Sequence, residues 1–131
     1  LKFLSEFTFS HNGTIADLLD INHQLIGYEI KSDSDTYARL PKQIEGYNSV
    51  CRKIYMVVGE SRSTSIFLHV PEFYGVIVAI RKENGLVEFD TLREASNNSH
   101  WTTASLLCWL PSDCLKKFAK EIPSIFDIYG G

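Results

Sequence analysis

The sequence predicts an α/β domain in which a mixed sheet is flanked by helices. Three observations carry that expectation. Short β-branched runs such as "KIYMVVGE" and "YGVIVA" have strand length with a continuous apolar centre, as buried strands do. Two stretches, "IADLLDINHQLIGYEIK" and "YGVIVAIRKENGLVEF", carry the turn residues of hairpins. Segments with helical spacing, "TYARLPKQIEGYNSV", "TTASLLCWL" and "SDCLKKFAKEI", lie between and after them. Strands interleaved with helices imply helices layered on a sheet.

From the N-terminus, "FLSEFTF" is apolar around one acid, Glu6, and is expected to be the end of a helix. "HNGT" signals a turn. "IADLLDIN" and "QLIGYEIK" are then two strands around a short 22–24 connection. "SDSDT" is rich in helix-capping residues, which assigns Asp33 and Asp35 to a cap. The following segment is expected to be helical and divided at Pro41. That residue sits best in a first turn, where its missing N–H costs nothing. Residues 54–58 are expected to form a buried strand. A second hairpin turns at Glu83, Asn84 and Gly85. Pro111 and Ser112 separate two C-terminal helices.

With 131 residues and 44% hydrophobic content, the chain suits one domain, 1–131, with an ordinary core. No run approaches the roughly 18 apolar residues of a membrane span. The first residues lack the basic region and small-residue cleavage site of a signal peptide, so a cytoplasmic location and no membrane partner are expected. Cys51, Cys108 and Cys114 are odd in number and irregular in spacing, which opposes a disulfide framework. Zinc is disfavoured because no C-x-x-C pair exists and His11, His23, His69 and His100 are scattered. The net charge of −3 opposes a broad phosphate-binding surface, but not a site that uses acids to hold a metal.

The chemistry gathers in the first hairpin. Side chains alternate faces along a strand. A three-residue 22–24 loop sets Ile21 against Leu25, Leu19 against Gly27 and Asp17 against Glu29. Opposed Cβ atoms lie about 5 Å apart, so two carboxylates there repel and raise each other's proton affinity. A divalent cation resolves the conflict, and Mg²⁺ needs only one or two protein carboxylates. Lys31 lies two residues beyond Glu29 on the same face. It is placed to orient or deprotonate a water, or to offset charge at phosphorus. Gly27 would leave that face open to a substrate. An E-x-K triplet alone is common on exposed strands; the matching parity of Asp17 makes this one informative.

These residues resemble the PD-(D/E)xK superfamily of restriction-endonuclease-like nucleases. Asp17 on one strand and Glu29-Ile30-Lys31 on the next follow its signature, although Ala16 stands where the superfamily often has Pro. The run "GYEIKSDSDTYARLPKQIEGYN" is also similar to a small bacterial and phage family within it. That likeness is dense over residues 14–60 and looser beyond. The resemblance implies an αβββαβ core and a metal-dependent nuclease, endonuclease or exonuclease. Mg²⁺ or Mn²⁺ would be held by Asp17, Glu29, the Ile30 carbonyl and Glu6. Asp17, Glu29, Lys31 and Gln43 would be catalytic, with DNA favoured over RNA as substrate.

On a continuous helix Arg39, Gln43 and Tyr47 form one stripe. It is expected to be a solvent face or a nucleic-acid wall, with Arg39 and Tyr47 as contacts, although Tyr47 taken alone more simply packs. Tyr74, Trp101 and Trp109 are more simply core residues than base-stacking ones. Lys116, Lys117 and Lys120 suit a solvated face. Two other readings stay open: an inactive nucleic-acid-binding domain, and a protein-interaction domain of a phage or mobile element that forms a homodimer through its C-terminal helices.

Overall fold

The structure, a computed structural model, describes residues 3–9, 13–22, 24–102 and 116. Its elements are β1 (Phe3–Thr8), β2 (Ile15–Asp20), β3 (Ile26–Lys31), α1 (Leu40–Val50), β4 (Lys53–Gly59), β5 (Gly75–Arg81) and β6 (Val87–Arg93). Two short 3₁₀ turns lie between β4 and β5. The strands form one six-stranded sheet in chain order. β1, β2 and β3 make an antiparallel meander. The chain then crosses through α1 to run β4 parallel to β3 and β5 parallel to β4, and β6 returns antiparallel. The mixed α/β sheet agrees with the expectation, as do β4 and the β5–β6 hairpin. That hairpin turns through Gly85, whose φ of 84° is the left-handed conformation glycine tolerates.

The N-terminal expectation fails. "FLSEFTF" forms strand β1, where the sequence suggested the end of a helix. Its alternation is disguised, because Leu4 and Phe7, three residues apart, both pack on the core. Between them Glu6 has a φ of 53°, and the strand changes its buried face there. β2 slips at the matching place, since Ala16 and Leu19 are both buried. The C-terminal helices expected over residues 102–110 and 112–122 lie outside the described residues, apart from Thr102 and the exposed Lys116.

Pro41 does not divide a helix. It occupies the first turn of α1, which starts at Leu40. Asp33 and Asp35 do not cap that helix either. Asp35 Oδ2 accepts from the Ser32 amide at 2.8 Å, and these bonds hold its carboxyl below the usual range. Asp33 accepts from the Ser61 hydroxyl, and Arg62 donates to the Asp33 and Asp35 carbonyls. The Asp33 carboxylate and the Arg62 guanidinium therefore fasten the loop after β3 to the turn after β4, while the Asp35 carboxylate closes the loop on Ser32.

Helix α1 buries Leu40, Gln43, Gly46, Tyr47 and Val50 against the sheet, at the spacing of one helical face. Beneath them lie Leu19, Ile54, Met56, Val58 and Val76, all at most 1% exposed. Two glycines set the approach. A Cβ on Gly46 would overlap the Phe9 ring, and one on Gly27 would lie 2.5 Å from the Tyr47 ring. Gly27 thus makes room for Tyr47, where the sequence suggested room for a substrate. Alanine normally stabilises a helix interior by about 1 kcal/mol over glycine. At position 46 the clash reverses the sign, so Gly46→Ala should cost about 1–3 kcal/mol in urea unfolding.

Candidate active site

The connection at 22–24 keeps the expected register, with Leu19 paired to Gly27 and Asp20 to Ile26. The ladder then ends at Leu18↔Tyr28, and side chains take over the pairing. The Ile30 amide donates to Asp17 Oδ2 at 2.8 Å. The Asp17 amide donates to the Tyr47 hydroxyl oxygen at 3.1 Å. That hydroxyl has one proton and two acceptors, Glu29 Oε1 at 2.7 Å and the Tyr28 carbonyl at 3.0 Å. The shorter bond goes to the carboxylate, as charge assistance favours.

Glu29 is 2% exposed and lies under α1. Besides Tyr47 it accepts from Gln43 Nε2 at 2.9 Å on Oε2, and Lys31 Nζ stands 3.5 Å from the same oxygen. Burial pushes the Glu29 carboxyl up to about 7. The nearby Asp17 charge adds to the rise, while Tyr47 and Lys31 oppose it. Lys31 is itself only 5% exposed. A buried pair of this kind is a poor source of stability, because desolvating both ions offsets their attraction. Groups with such perturbed proton affinities cluster at functional sites and in structural ion-pair networks.

The structure thus brings Asp17, Glu29, Lys31 and Gln43 together. Glu6 joins them differently from the expectation. It sits on β1 across from Asp17, and with Asp17, Arg39, Lys42 and Gln43 it lines a cavity of about 610 Å³. Arg39, exposed at the N-cap of α1, is on that cavity, while Ile30 is exposed with its amide tied to Asp17. Tyr47 needs correction. At 1% exposure it is a core residue whose hydroxyl serves the acids, and a direct nucleic-acid contact is closed to it. The stripe read as an outer wall turns inward at Gln43 and Tyr47. Lys42, on the cavity rim, was missed by the sequence reading; its place one position before Gln43 was the available signal.

Among the described residues no group of three or more His, Cys, Asp or Glu gathers in a way that could hold a metal ion. The oxygen donors at hand are the Asp17 and Glu29 carboxylates and Gln43 Oε1, a buried acceptor without a hydrogen-bond partner.

The family described as Bacteriophage P4 protein cII matches residues 2–125 of the chain. No curated protein and no solved structure matches it.

A raised carboxyl pKa carries a stability signature. Folded Glu29 keeps its proton up to about pH 7, whereas the unfolded chain releases it near 4.5. Folded stability from this group is therefore full below about 4.5 and falls as pH rises through about 7, by an amount on the order of 3 kcal/mol. Urea midpoints measured across that window should decline for the wild type and flatten for Glu29→Gln.

Proposed function

We propose that the chain, which belongs to the Bacteriophage P4 protein cII family, is a metal-dependent nuclease that hydrolyses phosphodiester bonds in DNA through a PD-(D/E)xK-type site, a reading that rests on the site and not on the family. The observation that carries the reading is the buried Glu29–Lys31 pair beside Asp17, at the point where the β2–β3 ladder ends; Asp17 and Gln43, the latter bonded to Glu29, also line the cavity. The topology supports it as well. An antiparallel three-stranded meander with acids on its second and third strands, then a helix and a parallel strand, follows the βββαβ part of the restriction-endonuclease-like order.

The donors suit a hard divalent cation. Two carboxylates and an orphaned amide oxygen are all oxygen ligands, and Mg²⁺ or Mn²⁺ requires few from the protein. Asp17, Glu29 and Gln43 Oε1 would hold it. When bound, it would supply Lewis-acid polarisation of the phosphate and a lowered pKa for bound water. The remaining work falls to the chain. Lys31 keeps a positive charge within reach of Glu29 and offsets negative charge that develops at phosphorus. Gln43 and Tyr47 hold the Glu29 carboxylate in one orientation. Arg39 and Lys42 give the cavity rim a cationic side for the phosphate backbone.

A second reading, a nucleic-acid-binding domain without hydrolytic activity, draws on one observation. Both oxygens of Glu29 already accept from protein donors. Two measurements separate the readings. The nuclease requires Mn²⁺ to raise the melting temperature, as any ligand specific to the folded state must, and plasmid or single-stranded DNA to be cut in its presence. Lys31→Met, which keeps the side-chain volume, should lower cleavage by about 10²-fold or more. Cleavage at the wild-type rate would remove Lys31 from the mechanism, and no cutting by the wild type with any DNA form would leave the binding domain.

A further inference from the structure

We propose that Tyr47 is the positioning residue of this site: its hydroxyl, set where the β2–β3 ladder ends, fixes the Asp17 and Glu29 carboxylates relative to one another. The nuclease reading supplies the consequence of that role, and the geometry supports the role by itself. One oxygen meets the Asp17 amide, the Tyr28 carbonyl and Glu29 Oε1, and so touches both acid-bearing strands. The Asp17 backbone, held in this way, sends its own carboxylate across to the Ile30 amide. Two strands that no longer pair directly are bridged by a side chain from the helix above them.

The ring is fixed as firmly as the hydroxyl. Phe9 meets it edge-on, with centroids 5.2 Å apart at 72°. The absent side chain of Gly27 makes the slot it occupies, and that of Gly46 lets Phe9 close in. A tyrosine that only filled space would need no such bonds, and phenylalanine would serve equally. Partners that orient ligating carboxylates in this manner commonly matter to metal affinity almost as much as the ligands do.

Tyr47→Phe in the full chain tests the assignment, because it keeps the ring and removes the oxygen. Amide exchange followed by NMR is the first readout. The Ile30 amide does not touch Tyr47, so it reports whether Asp17 has lost its place. It should exchange roughly ten-fold faster or more, while amides of the β4–β5 ladder stay as in the wild type. An unchanged Ile30 amide in a folded variant overturns the proposal. Mn²⁺ affinity is the second readout and should fall by about 10–100-fold. If the wild type binds no Mn²⁺, the nuclease reading fails while the Ile30 amide still decides the role of Tyr47. If the variant does not fold, the wild type decides. The Tyr47 hydroxyl proton must then be protected from exchange and show a nuclear Overhauser contact to the Asp17 amide, and its absence overturns the proposal.

Discussion

Burying the Glu29 carboxylate under α1 obliges the surrounding structure to supply what water would have supplied. An ionised carboxylate at 2% exposure is costly unless donors surround it. Here the donors come from two directions. Lys31 arrives from the same strand, two residues on, and Gln43 and Tyr47 arrive from two turns of the helix. The helix must therefore lie close over β3 and in one register along it. Gly27 allows that approach, since a side chain there would displace the Tyr47 ring. The Phe9–Tyr47 edge contact then ties β1's end to the same place.

That arrangement also explains why the sheet is irregular where it is. A continuous β2–β3 ladder would have consumed the Ile30 amide in backbone pairing and left Asp17 as an ordinary strand residue. Ending the ladder at Leu18↔Tyr28 frees the Ile30 amide to hold the Asp17 carboxylate. The change of face in β2 is matched by Glu6 on β1, whose left-handed backbone costs on the order of 1 kcal/mol or more. Strain of this kind persists where neighbouring structure over-determines it, and both irregular residues line one cavity.

How much of this was legible follows from what each signal depends on. The register of the first hairpin could be deduced because loop parity and a period of two suffice to fix it, and Leu19 does face Gly27. The turn at Gly85 and the first-turn position of Pro41 rest on local backbone preferences that survive any tertiary context. Strand β1 was illegible because its period breaks at Glu6, and a broken period of two imitates helical spacing over seven residues. The capping assignment of Asp33 and Asp35 failed for another reason. The Asp33 side chain finds its partner, Ser61, on the turn after β4, 28 residues on, and the Asp35 carboxylate closes a turn on Ser32 within its own loop. The stripe of Arg39, Gln43 and Tyr47 looked like a surface because a polar stripe on a helix usually faces water, and packing was legible only for Tyr47 taken alone. Only the buried acid beneath explains why Gln43 and Tyr47 turn inward.

The overall charge of −3 looks unfavourable for a protein proposed to meet a polyanion, yet charge acts over a limited range. At physiological ionic strength screening sets in beyond about 8 Å, so the groups around a site matter more than the sum over the chain. This cavity is lined by Arg39 and Lys42 as well as by Glu6 and Asp17, and by Gln43, which bonds the Glu29 that pairs with Lys31. Under the nuclease proposal the division has a direct use. Arg39 and Lys42 would attract the phosphate backbone, and the acids would repel it until a divalent cation has neutralised them. Productive binding of DNA would then depend on prior or simultaneous binding of metal. A chain with a uniformly basic surface would lose that ordering, because it would hold DNA whether or not the acids were occupied. The acidic balance is therefore compatible with the proposed chemistry for the same reason that it argued against a broad phosphate-binding face.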